Sequence, residues 1–211
     1  MSTDHLILGS RSPRRLQLLA HLLPPSRIRV LVPADEQEAG FSEPNSLDEI
    51  LLQLAGIART KNEAVFRQLG GPLNGCGILS ADTVVIVPHQ ENSLRVLGKP
   101  DGPDWEHTTR VWFQSYFSGK SHQVATALCL RTSQGELLER QVLTTVQFCE
   151  IPSDMIEWYL STQEPLGKAG AYALQGAASC FVTAIHGSPS NVIGLPLLET
   201  RELLQQAGLL H

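Results

Sequence analysis

Asp82 is the only ionisable residue in GILSADTVVIVP, an otherwise apolar or hydroxylic run from Gly77 to Pro88. Burying an unpaired carboxylate in such a run costs several kcal/mol, so Asp82 calls for a cation, a metal ion or a proton as partner. Arg14 and Arg15 follow Ser10 and Ser12 in SRSPRR, at the mouth of an apolar helical stretch. That is the positive end of a helix macrodipole, where an exposed cation is disfavoured by about 0.3 to 1 kcal/mol. Free backbone N–H groups, two hydroxyls and two guanidiniums suit an anion such as a phosphate, although solvated arginines beside a capping serine would use the same residues. Lys61 lies four residues from both Ile57 and Val65 on a helical apolar stripe. Its ammonium either points into the body of the protein or snorkels along the core edge. Lys99 stands just past the run LRVL, and Lys168 and Gln175 lie in EPLGKAGAYALQG. That segment has too many glycines for an ordinary helix, and Gly167, Gly170 and Gly176 would permit positive φ or a close backbone approach; a flexible surface loop is the other reading. The Gln175 amide carries a donor and an acceptor in one plane, which suits the edge of a base. The combined chemistry is that of cations around a polyanion with one acid facing it.

These residues need elements to hold them. LIL at Leu6 to Leu8 reads as a strand, followed by a helix with Ser12 as N-cap and Pro13 at its first position. IRVLV from Ile28 reads as a second strand running into the acidic loop PADEQEAG. Ser46 and Glu49 form a capping box ahead of a long helix whose stripe is Ile50, Leu51, Leu54, Ile57, Ala58 and Val65. The Gly77 to Pro88 run suits a strand covered on both faces, and LRVL returns as its hairpin partner. A helix from about Asp104 to Phe117 carries Trp105, Trp112, Phe113 and Tyr116 as packing aromatics. HQVATALCLRT and LERQVLTTVQFCE read as two partly exposed strands around the turn SQGE. Ser153 reads as the cap of a helix through Leu160 with Trp158 and Tyr159 on its inner side, and a closing helix has Pro196 near its start and Gly208 near its end. The alternation predicts an α/β fold, a mixed twisted sheet flanked by helices.

Composition narrows the functions. The 211 residues suffice for one large domain or two small lobes, and a net charge of -5 leaves no overall basic field for gripping long nucleic acid. An anionic ligand is therefore expected to be small and locally bound. Cys76, Cys129, Cys149 and Cys180 are scattered, lack CxxC spacing and read as core residues of a reduced protein, with no zinc site. No apolar run approaches membrane-spanning length, and no leader pattern precedes the first strand, so a cytoplasmic protein without a membrane partner is expected. No serine or cysteine sits with a histidine in a recognisable strand-to-helix elbow, which sets aside a nucleophilic hydrolase built on Cys180 or a serine.

Seven segments in order, LILGSRSPRRLQLL, IARTKNEAV, SADTVV, LGKP, FSGKSHQV, EPLGKAGAYALQG and NVIGLPLLET, resemble the Maf family of nucleotide pyrophosphatases. The resemblance covers nearly the whole chain. It implies a single domain over residues 1–211, with two lobes around a central cleft and a fold related to the inosine triphosphate pyrophosphatases. It also implies hydrolysis of dTTP and UTP to the monophosphate and pyrophosphate. Asp82 matches the family's general base, Glu36 in ADEQ an acid near the metal and water, and Ser10, Arg14 and Arg15 the phosphate-holding turn. Lys61 and Lys99 match lysines facing the triphosphate, and Lys168 and Gln175 match the late glycine-rich loop. Arg14, Thr83 and Gln175 match positions linked with substrate choice. Gly167 stands where the family often has Asp, and Ser121 where it has Thr. With this substrate a divalent cation, Mg²⁺ or Mn²⁺, is expected between Asp82, Glu36 and phosphate oxygens. A homodimer is implied by the resemblance alone. A nucleotide-binding regulator of cell division with little catalysis would need the same cations, and pyrophosphate release separates the two.

Overall fold

The computed structural model describes residues 5–34, 41, 46–90, 93–100 and 102–210. One seven-stranded mixed sheet runs through it. Strand β1 (Leu6–Leu8) pairs in parallel with β2 (Ile28–Val30) on one side and with the start of β3 (Gly77–Pro88) on the other, where Leu6 faces Gly77 and Leu8 faces Leu79. The far end of β3 pairs antiparallel with β4 (Leu94–Leu97), from Val85 opposite Leu97 to Pro88 opposite Leu94. Along its other edge β3 pairs with β5 (Ser121–Arg131), followed by β6 (Leu137–Phe148) and β7 (Val182–His186), all antiparallel.

The strand β3 is therefore forked. Among the described residues, β1 occupies its edge up to Leu79 and β4 occupies it from Val85, so the stretch between has a neighbouring strand on one side only. Local chemistry ends both neighbours there. β1 runs into Gly9 and Ser10 and then the helix start, and β4 runs into Gly98, Lys99 and Pro100, a residue that cannot donate to a ladder. Asp82 and Thr83 lie in that opening.

Helix α1 (Pro13–Leu19) begins as expected, with the Arg15 N–H donating to Ser12 Oγ at 3.4 Å and Pro13 in the first turn. Helix α2 (Leu47–Leu69) has the complete capping box: Glu49 N–H donates to Ser46 Oγ and Ser46 N–H to the Glu49 carboxylate. Its stripe of Ile50, Leu54 and Ala58 packs on Val84, Ile86, Ala125, Ala127 and Cys129. The opposite face of the sheet is covered by α1 and the closing helix α6 (Leu197–Gln206), which pack Leu18, Leu19, Leu203 and Leu204 against Leu6, Leu8, Leu79, Leu128 and Leu130. A second apolar region gathers Phe113, Phe117, Phe148, Tyr159, Tyr172 and Phe181 around Val85, Val87 and Leu97. Helix α3 (Trp105–Trp112) continues there into a π turn, Phe113–Phe117, which sets the rings of Phe113 and Phe117 edge to face at 5.3 Å.

Several local expectations change. The strand at Ile28 stops at Val30. Ser153 is the first residue of α4 (Ser153–Ser161) with Pro152 at the cap position, and Trp158 is 45% exposed while Tyr159 is buried. β5 is buried along nearly its whole length, because α2 and α6 cover it from both faces. Of the cysteines only Cys129 is buried; Cys76 and Cys149 are half-buried and Cys180 is exposed.

Asn62 pins α2 to the sheet. Its Nδ2 donates to the carbonyls of Ile78 at 2.9 Å and Cys129 at 3.0 Å, and its Oδ1 accepts from Arg131 Nε at 3.1 Å. Asn62→Ala leaves buried polar groups unpaired and is expected to destabilise by about 3 kcal/mol, read as a lower denaturant midpoint with unchanged slope.

Candidate active site

A cavity of about 570 Å³ opens at the fork of β3, within the range of small-molecule sites. Successive strand residues point to opposite faces, and here both faces matter. Asp82 points toward α2, where Lys61 Nζ donates to its Oδ1 at 2.5 Å. Thr83 points the other way, toward α1. Both line one cavity because the sheet is open between them.

The expectation that Asp82 requires a partner and that Lys61 points inward is met by the same ion pair, whose side chains are each about one-fifth exposed. The stripe position of Lys61 is what aims it, since Ile57 one turn earlier also lines the cavity.

Arg15 is deployed differently from a solvated residue. Its Nε donates to the Gly194 carbonyl at 2.8 Å, Nη1 to Ser10 Oγ at 3.2 Å and Nη2 to Thr83 Oγ1 at 3.0 Å. All three acceptors are neutral. Desolvation pulls the guanidinium pKa below its ordinary value, the Asp82 charge opposing and Arg14 adding to that shift. A desolvated cation held by neutral oxygens is a charge arranged for an anion from outside. Thr83 Oγ1 also lies 2.9 Å from Thr126 Oγ1, which fixes the hydroxyl.

Ser10, Arg14, Lys99 and Gln175 line the same cavity, as does Arg11. Against an overall charge of -5, the described lining holds Arg11, Arg14, Arg15, Lys61 and Lys99 with Asp82 as its acid. Lys168 is beside the lining rather than in it. Gly167 and Ala169 reach the cavity, while the Lys168 ammonium donates to the Glu164 carbonyl. Glu36 lies outside the described residues. Gly167 and Gly170 do take positive φ, +69° and +65°; Gly176 does not, and its value lies in the space it leaves.

Gly194 was not singled out by its sequence setting, yet its carbonyl orients Arg15. Its φ of +123° needs glycine, and the signal available was a glycine just ahead of Leu-Pro in NVIGLP. Tyr172 is a second unforeseen lining residue; its hydroxyl lies 2.8 Å from the Nε2 of buried His122, whose pKa burial pushes down to about 3.

Among the described residues no three His, Cys, Asp or Glu side chains converge to hold a metal ion. The donor set at the fork is one carboxylate, an oxygen ligand. It fits a hard divalent cation that keeps waters and shares phosphate oxygens, and it does not form a closed protein cage.

Desolvation lowers the Lys168 pKa, Arg14 adds to the shift and Glu164 opposes it. As pH rises through that lowered value, Lys168 sheds its proton earlier than an ordinary lysine. In that window the unfolded chain holds the proton and the folded chain does not, so stability rises with pH while attraction for a polyanion falls. Titrating tripolyphosphate affinity from neutral to alkaline pH is expected to show this early loss, and Lys168→Met to remove that step.

Comparison with known proteins gives a consistent assignment. A dTTP/UTP pyrophosphatase of Anaeromyxobacter dehalogenans is 41% identical over 207 residues, covering 96% of this chain and 94% of that one. A dTTP/UTP pyrophosphatase of a Shewanella species is 36% identical over 213 residues, covering 97% and 99%. The fold is shared with a HAM1 protein from Coxiella burnetii, at a TM-score of 0.54 and 15% identity over 96% of this chain and 99% of that one. The sequence model of the family described as Maf-like protein matches residues 5–207, and the chain belongs to that family.

Proposed function

We propose that the protein is a nucleoside triphosphate pyrophosphatase that hydrolyses dTTP and UTP to the monophosphate and pyrophosphate. The observation that carries this reading is the convergence, in one cavity, of a single carboxylate with Lys61, Lys99, Arg14 and Arg15. Relatives called dTTP/UTP pyrophosphatase that align over nearly the full length support the choice of substrate.

A triphosphate carries about four negative charges at neutral pH, and its hydrolysis depends on positioning and charge stabilisation more than on covalent chemistry by the protein. Ser10, Arg14 and Arg15 hold phosphate oxygens at the β1 end of the fork, and Lys99 reaches them from the β4 end. Asp82 acts as general base. It takes the proton of a water whose oxygen attacks the α-phosphorus, the α–β bridging bond breaks, and pyrophosphate leaves with the bonding electrons. Lys61 orients the carboxylate through its 2.5 Å contact. Thr83 and Gln175 contact the nucleoside end, Lys168 supports the phosphates from the loop, and Glu36 supplies a further acid near the water. A divalent cation, Mg²⁺ or Mn²⁺, held by Asp82 and Glu36 and by phosphate oxygens, would neutralise part of the charge that develops.

We further read the chain as one domain of two lobes meeting at β3. Among the described residues no helix is long and apolar enough to cross a membrane. We read the protein as cytoplasmic and without a nucleic-acid partner, a reading supported by a free-nucleotide substrate and by a net charge of -5. The homodimer expected from the resemblance belongs to the same reading. The test is pyrophosphate release from dTTP, UTP and the other nucleoside triphosphates, with and without divalent cation. Rapid release from dTTP and UTP is expected; binding without release would overturn the enzymatic reading.

A further inference from the structure

We propose that Glu164 is a positioning residue that sets two side chains of its segment, Lys168 beside the cavity and Gln175 in its lining, and through Gln175 the preference for one base over another. The proposal rests on the pyrophosphatase reading above. Neither side chain of the segment is placed by a helix or strand. Lys168 and Gln175 stand in turns between α4 and β7, and something must hold those turns.

Glu164 holds them from two directions. Its Oε2 accepts the Ala177 N–H at 2.6 Å, and its Oε1 accepts the Ala178 N–H at 3.3 Å and the Tyr159 hydroxyl at 3.1 Å. These N–H groups open a short turn, Ala177–Phe181, immediately after Gln175 and Gly176. The Glu164 main-chain carbonyl meanwhile accepts from the Lys168 ammonium. One residue thus grips the Lys168 side chain and the backbone just past Gln175.

Gly176 is shaped to the same carboxylate. A Cβ at that position would stand 2.1 Å from Glu164 Oε2, although its φ of -116° is open to any residue. The glycine is there for space. At the other end of the segment, Gly170 N–H donates to the Gly98 carbonyl at 2.9 Å, beside Lys99, and its α-carbon packs so closely on Val85 that a Cβ would sit 2.7 Å from Cγ2. Gln175 is therefore suspended between an anchor on β3 and β4 and an anchor on Glu164, with Tyr159 seating the latter in the aromatic region.

The test uses Glu164→Gln, which keeps the volume but turns a donor toward an N–H, and Gly176→Ala, which displaces the carboxylate from the opposite side. Affinities for dTTP and dATP are measured with their non-hydrolysable analogues, so that they read independently of turnover. Both variants are expected to weaken dTTP binding by about tenfold, the scale of a displaced positioning group, and to narrow the dTTP-to-dATP contrast. In a Gln175→Ala background, Glu164→Gln is expected to narrow that contrast no further, because the two act as a unit. An unchanged contrast in folded variants, or a further, additive loss of that contrast in the double variant, overturns the proposal. Absence of pyrophosphate release by the wild-type chain overturns the enzymatic reading instead, leaving the binding contrast to decide Glu164.

Discussion

Asp82→Asn is expected to lower the turnover number for pyrophosphate release by about 10² to 10⁴, the range that a positioned general base supplies, while the chain keeps its fold and its affinity for dTTP. The amide retains a carbonyl oxygen for the Lys61 ammonium, so the 2.5 Å contact has a surviving partner and the shape of the fork is kept. What the variant lacks is a group able to take the proton from water, together with one anionic oxygen for a divalent cation, so the assay is run at saturating Mg²⁺. Removing a negative charge from a site that receives a polyanion also favours binding, so the Michaelis constant should hold steady or fall. Rapid-quench kinetics at saturating dTTP, with affinity measured on an analogue, separates the two effects. Turnover close to wild type would remove Asp82 from the mechanism.

Arg15→Lys is expected to cost about a hundredfold in kcat/KM, although the charge is conserved. Arg15 spreads three hydrogen bonds over Gly194, Ser10 and Thr83 through one planar fork, an arrangement that a single ammonium cannot reproduce. Losing charged hydrogen bonds at roughly 1.5 to 3 kcal/mol each gives about 3 kcal/mol for the net change, which corresponds to that factor. The loss should fall mainly on KM. It should also widen the range of accepted nucleotides, because Thr83 loses the guanidinium that fixes its hydroxyl. Tripolyphosphate, which has no base, distinguishes a phosphate role from an architectural one: its affinity should drop with that of dTTP. Equal tripolyphosphate affinity in wild type and variant would confine Arg15 to architecture.

Much of the local structure was legible in the residues themselves. The Ser12 cap, the Ser46 and Glu49 capping box and the inward stripe of α2 follow from short-range rules, and the structure shows each of them. The isolation of Asp82 among apolar neighbours correctly demanded a partner, and the helical spacing of Lys61 supplied it. The fork in β3 could not be read this way, because it depends on where two other strands stop, and strand pairing is a long-range choice. For the same reason β5 looked partly exposed: its scattered polar residues do not reveal that helices cover both faces. Trp158 and Tyr159 are adjacent on a short helix, where 100° of rotation separates a buried ring from an exposed one. Gly194 acts through its own carbonyl, and the Glu164 carboxylate acts on the main-chain N–H groups of Ala177 and Ala178, atoms that every residue possesses and no composition betrays.

The forked strand also bears on how the protein can change its guest. On the proposed reading Ser10, Arg14 and Arg15 grip the phosphates from the β1 end of the fork and Lys99 from the β4 end, while Gln175 meets the base from the segment after α4, which fastens to the β4 hairpin through Gly170 and Gly98. The proposed proton transfer lies at the crotch, on a strand common to both. Exchange of the hairpin and late loop as a pair, with Lys99 and Lys168 retained and the crotch untouched, would therefore change the nucleobase preference while keeping the hydrolytic step. Exchange of either piece alone would sever their mutual fastening.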